Sequence, residues 1–192
     1  MLFAIAGPSG VGKTFLIREL LAQHSNLFIS PRLATTRPPR RGSNDVDRHF
    51  VTKQQFDSMH TSGEFMYAGE FQSHWYGFPK AIAEPQPQHV VVNIWPKSIP
   101  QFAQLPGVKI IGLSVDPDNF EMLRTRMLAR GDTDEIVENR MAQIVMDLAD
   151  LTRYYELVTD HGKMFEVIDD STVPEEVIPW ILETVASKEG LG

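Results

Sequence analysis

The segment Gly7-Pro8-Ser9-Gly10-Val11-Gly12-Lys13-Thr14 decides the reading of this chain. It fits G-x-x-x-x-G-K-[ST], the phosphate-binding loop, at every defined position. The flanking residues supply the context that the motif requires. Leu2-Phe3-Ala4-Ile5-Ala6 is a short apolar run that reads as a buried strand. Thr14 to Ala22 carries apolar residues at helical spacing. Strand, glycine-rich turn and helix together aim backbone N–H groups and a helix N-terminus at phosphate oxygens. The expected nucleotide-binding residues are Ser9, Gly10, Val11, Gly12, Lys13 and Thr14. Lys13 would reach the β- and γ-phosphates, and Thr14 would offer its hydroxyl to Mg²⁺. The loop predicts a nucleoside-triphosphate site with ATP and Mg²⁺ as its occupants.

The 192 residues suffice for one sizeable core and are too few for two ordinary domains. Apolar content of 42% and charged content of 22% place the chain among soluble globular proteins. Cys is absent, which excludes disulfides and thiolate metal sites. The six His are scattered without metal-ligand spacing. A net charge of −7 argues against general affinity for nucleic acid or anionic membranes. Strand and loop begin at once, without the basic start and cleavage site of a signal peptide. No apolar run approaches transmembrane length. A cytoplasmic protein is expected.

Around the loop, apolar runs alternate with amphipathic stretches, the pattern of an α/β protein with a parallel sheet flanked by helices. Strands are predicted at Leu2–Ala6, Leu27–Pro31, His89–Ile94, Val108–Val115 and Met164–Ile168. Helices are predicted after Lys13, Thr52, Asp116, Thr133 and Val173. Thr52-Lys53-Gln54-Gln55 is a capping-box start, and Asp116-Pro117 is an N-cap with proline at the first helical position. Pro179 should kink the last helix or delay its start. Residues from about 35 to 80 break the alternation with a basic turn, a short helix and the strand-like pieces Phe65–Phe71 and Trp75–Phe78. This segment reads as an inserted lobe that could close over a second substrate. A second mobile element is expected at Gly131-Asp132-Thr133-Asp134, between two helices.

Phosphoryl transfer needs positioning and cations more than covalent help. The guanidinium fork binds phosphate oxygens bidentately and stays charged. In this acidic chain five Arg fall between residues 32 and 48: Arg32, Arg37, Arg40, Arg41 and Arg48. Their place in the predicted acceptor lobe points to anion binding by at least two of them. Arg126 and Arg130 stand four apart on one helical face, and Arg140 lies on the next helix. Spacing alone leaves these three open between anion binding and surface salt bridges.

These blocks resemble the guanylate kinases and their relatives from Leu2 to about Ile181. The resemblance rests on the loop itself and on Thr35-Thr36-Arg37-Pro38-Pro39-Arg40-Arg41-Gly42. It continues through Phe50-Val51-Thr52 with Phe56, Gly63-Glu64-Phe65, Trp75-Tyr76-Gly77, and Arg126 through Arg130-Gly131 to Arg140. It implies a P-loop NTPase fold in a single domain over 1–192. The core would be about 1–34 and 81–192, the acceptor-binding insertion about 35–80 and the helical lid about 126–145. By resemblance, Arg37, Arg40 and Tyr76 hold the acceptor's phosphate. Lys13, Arg126, Arg130 and Arg140 serve catalysis as lid residues and cations around the transferred group.

The chain departs from the family where guanine is read. A serine before the Thr-Thr-Arg block, a glutamate in the hairpin and an aspartate after the central strand are matched here by Leu33, Tyr67 and Trp95. A phosphate-contacting tyrosine is replaced near Arg48-His49, the glutamate after the arginine-block glycine is Ser43, and the acid ending the central strand is Asn93. Tyr67 and Arg48 thus join the expected acceptor-binding residues, and Glu70 is a nearby acid that could substitute. Leu, Tyr and Trp supply no carboxylate for the N–H donors of a purine edge. Gly42-Ser43-Asn44 and Val90-Val91-Val92-Asn93 also resemble the ribose 1,5-bisphosphate kinases, a sister group that lacks the full arginine block. Three readings stay open: a nucleoside monophosphate kinase with altered base preference, a sugar-phosphate kinase, and a non-catalytic nucleotide-binding module.

Overall fold

A computed structural model describes residues 1–39, 47–71, 73–129 and 131–189. The chain opens with β1 (Leu2–Ala6) and α1 (Lys13–Gln23), followed by β2 (Phe28–Ile29), β3 (Leu33–Thr35), β4 (Arg48–Phe50) and α2 (Lys53–Thr61). The hairpin β5 (Phe65–Phe71) and β6 (His74–Pro79) comes next, then β7 (His89–Ile94), α3 (Ile99–Ala103) and β8 (Val108–Ser114). The remainder is α4 (Phe120–Ala129), α5 (Asp134–Arg153), α6 (Tyr155–His161), β9 (Lys163–Glu166) and α7 (Ile178–Glu189).

Five strands form a sheet in the order β2-β7-β1-β8-β9, and every pairing in it is parallel. β1 is the middle strand, paired with β7 on one side and β8 on the other. All five of its residues are buried, so neither side of the strand alternates to polar. Phe3 and Ile5 face a core built with Leu16 and Leu20 of α1, Leu123 and Met127 of α4, Ile144 of α5 and Ile181 of α7. Leu2, Ala4 and Ala6 face a second core with Ile99 and Phe102 of α3 and Val158 of α6. Period-two side-chain alternation thus clothes the sheet on both faces with helices.

The inserted lobe is a second sheet of order β4-β3-β6-β5, antiparallel between β3, β6 and β5. Its strands fall between Leu33 and Pro79 and include both strand-like aromatic pieces. The capping box before α2 forms as read: Thr52 Oγ1 accepts from Gln55 N–H at 3.2 Å, and Gln55 Oε1 accepts from Thr52 N–H at 2.8 Å.

The second strand and one helix differ from expectation, while the last helix starts late beside Pro179, as the sequence predicts. The second strand shrinks to Phe28–Ile29, and α3 was not foreseen because its Ile99-Pro100 start lacks a helical apolar period. Pro179 sits inside the first turn of α7, and the chain enters through a π-turn over Val173–Val177. The wider turn accommodates a residue with no N–H to give its i−4 partner. Among the described residues, no helix is long and apolar enough to cross a membrane.

The close passage of β9's entry past β8 sets one test of packing. A Cβ added to Gly162 would lie 1.8 Å from the Ile110 carbonyl oxygen, a backbone atom that cannot swing away. Gly162→Ala is expected to lower stability by about 1–3 kcal/mol or more, the scale of forced overpacking. Denaturant titration checks this, and an unchanged midpoint would refute the close approach.

Candidate active site

The phosphate loop links β1 to α1. Gly12 occupies the N-cap of α1 in the left-handed region, at φ 111°, and provides no side chain to cap the helix. Glycine adopts that backbone without steric cost. The first-turn N–H groups are thereby left for an anion, and the positive end of the helix faces the same way. Lys13 Nζ donates to the carbonyl oxygens of Gly7 at 2.6 Å and Pro8 at 2.7 Å.

A cavity of about 520 Å³ opens over this loop. That volume falls in the range of small-molecule sites. It lies at the carboxyl ends of β1 and β7, where parallel sheets take their ligands. Ser9, Gly10, Val11, Gly12, Lys13 and Thr14 all line it, as the motif predicts. Arg37, Arg48 and Arg126 join them from three separate segments. Arg126 Nη1 donates to the Gly10 carbonyl oxygen at 3.3 Å, and its Nη2 pairs with Asp170. This contact ties α4 to the loop.

The Thr-Thr-Arg block has a clear local logic. Thr35 is fully buried, and its Oγ1 accepts from the Arg37 N–H at 3.1 Å. Thr36 N–H donates to the Trp75 carbonyl oxygen at 3.0 Å, and Thr36 Oγ1 accepts from the Trp75 N–H at 2.9 Å. Two threonines therefore pin the chain to β6 and leave the next residue to project. Arg37 lies 5.6 Å over the Phe50 ring, an arrangement that orients a guanidinium. Arg48 is mostly buried and pairs with Asp47 at 3.1 Å.

A smaller cavity of about 90 Å³ adjoins the first, and the two share Ser9, Lys13, Arg48 and Asn93. Gly7, Leu33, Phe71, Tyr76, Phe78, Trp95 and Asp147 complete its wall. Its floor is aromatic: Trp95 meets Tyr76 edge-on at 5.1 Å and stacks with Phe71 at 5.5 Å. Lys97 Nζ stands 5.7 Å over the Trp95 ring. Leu33 and Trp95, two of the positions that replace guanine-reading residues, therefore do face this cavity. Tyr67, the third, lines neither cavity; it packs against Phe78 and Trp95, and burial pushes its hydroxyl above the usual tyrosine range. Glu70 is exposed and lines neither cavity.

The three expected lid arginines part company. Arg126 faces the nucleotide cavity. Arg140 is 6% exposed, pairs with the equally buried Asp132, and is not among the cavity-lining residues. Arg130 lies outside the described residues, as do Arg40, Arg41 and Ser43.

Asp47, Asp147, Asp169 and Asp170 line the cavities and were not singled out in the sequence. Asp169 accepts from the Ser171 N–H and hydroxyl, each at 2.8 Å, and these bonds hold its carboxyl below the usual carboxylate range. Asp147 is the opposite case: it is 5% exposed, and burial pushes its carboxyl up. A signal for it did exist. Val137, Arg140, Ile144, Asp147 and Leu151 repeat at three- and four-residue spacing and form the buried stripe of α5.

Among the described residues, no group of three or more His, Asp or Glu side chains gathers for a metal. The Thr14 hydroxyl and the Asn93 side chain both line the nucleotide cavity. Mg²⁺ retains several waters and takes substrate phosphates as ligands, so one hydroxyl and one amide oxygen fit it as a partial donor set.

The guanylate kinase family profile matches residues 2–170 of this chain. The guanylate kinase of Sphingopyxis alaskensis is 35% identical over 84% of this chain and 76% of its own length. That of a Nostoc species is 36% identical over 73% of this chain and 72% of its own length. In structure, the chain is similar to the guanylate kinase of Anaplasma phagocytophilum, with a TM-score of 0.67 at 18% identity. The alignment covers 95% of this chain and 85% of that one, and it supports the fold: an α/β P-loop fold with a parallel sheet flanked by helices.

Proposed function

Because this chain belongs to the guanylate kinase family, we propose that it moves the γ-phosphoryl group of ATP onto the phosphate of a nucleoside monophosphate whose base it reads differently from guanine-specific relatives. Family membership makes it a phosphotransferase acting on a nucleoside monophosphate. The altered base preference rests on one observation: the acceptor-side cavity presents Leu33 and Trp95 at two of the positions where guanine-reading side chains are expected.

In this reading the α1 N-terminus and Lys13 hold the donor's phosphates. Arg37 and Arg48 enter from the inserted lobe, hold the acceptor's phosphate and set it in line with the transferred group. Tyr76 adds a hydroxyl on the same side. Arg126 places a positive charge beside the oxygens that gain negative charge in the transition state. Arg40 and Arg130, outside the described residues, are proposed for the same two tasks, and Arg140 for steadying the lid through Asp132. Thr14 and Asn93 would hold Mg²⁺, which neutralises phosphate charge when bound. Cytoplasmic location is part of the proposal.

The cavity of about 90 Å³ with its aromatic floor also favours a second reading, in which the acceptor is a phosphorylated sugar without a base. One measurement separates them: kcat/KM for GMP, dGMP, AMP, CMP, UMP, dTMP and ribose 1,5-bisphosphate under one set of conditions. An apolar or aromatic surface discriminates by about 10–200-fold, whereas a site built to hydrogen-bond one base reaches about 10⁴-fold. Expected is a GMP preference no greater than the lower range. A preference near 10⁴-fold for GMP would overturn the altered-base reading. Efficient turnover of ribose 1,5-bisphosphate alone would install the second.

A further inference from the structure

The acceptor-side cavity contains one carboxylate with no assigned task. Asp147 lines it beside Lys13, Asn93, Tyr76 and Trp95, and is 5% exposed. Its Oδ1 accepts from Gln143 Nε2 at 3.0 Å. Among the described residues, no hydrogen bond is formed to Oδ2. Gln143 is one turn away on the same helix, so the bond does not fasten α5 to anything else. Aspartate is also a poor residue for a helix interior. A buried carboxylate whose only bond is local weakens the fold unless it serves another purpose.

Lys13, on the wall of the same cavity, attracts the Asp147 carboxylate. Lys13 and Arg48 line the cavity as cations, and Asp147 lines it as an acid. Lys97 also attracts the Asp147 carboxylate, and Asp150 repels it. A molecule that carries both a phosphate and N–H or O–H donors suits this set. The positions expected to read such donors are Leu33, Tyr67 and Trp95, and none of them supplies a carboxylate.

We infer that Asp147 is the specificity-determining carboxylate of the acceptor site: its Oδ2 accepts a hydrogen bond from an N–H or O–H on the non-phosphate part of the acceptor. This rests on the kinase reading and names the group that would restore polar recognition to an otherwise aromatic pocket. The donor is a sugar hydroxyl or a base N–H. Both present the same chemistry to Oδ2.

The test uses the full chain as wild type, Asp147→Asn and Asp147→Leu. It measures kcat/KM for GMP, dGMP, IMP, AMP, CMP and ribose 1,5-bisphosphate, the dissociation constant for ATP, and the melting temperature. Asp147→Leu is expected to cut kcat/KM for the best acceptor by about 10–100-fold, the scale of a hydrogen bond to a charged group, mostly through KM. Discrimination against the analogue lacking the donor should fall by the same factor. A GMP-to-dGMP ratio that collapses identifies a sugar hydroxyl; a collapsed ratio between bases identifies a base N–H. ATP affinity should hold, because Asp147 does not line the larger cavity. The melting temperature of both variants should equal or exceed that of wild type, since a desolvated charge is removed. Unchanged acceptor ratios would overturn the inference. So would a lowered melting temperature with parallel losses for ATP and every acceptor, which marks a structural carboxylate. A wild type that phosphorylates no member of the panel overturns the kinase reading and this inference with it.

Discussion

Lys13→Ala is expected to lower kcat by about 10³-fold or more while the fold stays intact, the scale of losing a cation that stabilises a transferring phosphoryl group. The substitution falls on the first residue of α1, where alanine is a better helix former than lysine. Its ammonium group bonds to the Gly7 and Pro8 carbonyl oxygens, at the rim of the nucleotide cavity rather than inside a core. Removing it leaves the glycine backbone and the helix N-terminus in place, so ATP should still bind, more weakly. The deficit should therefore appear mainly in turnover. Steady-state kinetics with the best acceptor, paired with a melting curve, reads both quantities. Turnover within a few-fold of wild type would sink the assignment of catalysis to the phosphate loop.

The second large effect is expected on the other substrate. Arg37→Lys should reduce kcat/KM for the acceptor by about 10²-fold, because lysine keeps the charge and loses the bidentate fork that a phosphate accepts. ATP affinity should change little. Thr35 and Thr36 hold the backbone at this point through their own bonds, so the segment keeps its course after the substitution. Binding titrations of ATP and of the acceptor, done separately, make the distinction. Equal losses on both sides would move Arg37 to the donor site or point to a distorted lobe.

The donor side was legible in the sequence because its function lies in the backbone. A glycine at left-handed φ, a strand before it and a helix after it leave a fixed spacing that shows directly in the residue order. The parallel sheet was equally plain, since β1 is an unbroken apolar run and β7 a nearly unbroken one. The lobe was legible as an interruption, and its aromatic stretches did become β5 and β6. The acceptor side was harder to read. Tyr67 and Trp95 both match base-reading positions in the family pattern, yet Tyr67 packs against Phe78, its partner in the hairpin register, while Trp95 forms part of the cavity wall. Arg140 was expected in the lid by resemblance, but it lies on the buried face of its helix, and its partner is Asp132. Asp147 shares the stripe. A charged residue at an apolar period reads as noise in a single sequence, and only the cavity beside it gives it meaning.

The middle place of β1 also has a consequence for how the protein is made. Residues 2–6 leave the ribosome well before their neighbours, residues 90–94 and 108–112. Until residues 90–94 have been synthesised, the central strand lacks its first partner, and until residues 108–112 follow, it lacks its second. Such long-range parallel pairing is slow to form and exposes apolar segments meanwhile. The wall of the cavity over the loop is likewise finished late, because Asn93 and Arg126 follow the loop by some eighty residues or more, so a chain truncated before them is expected to hold a nucleotide less well.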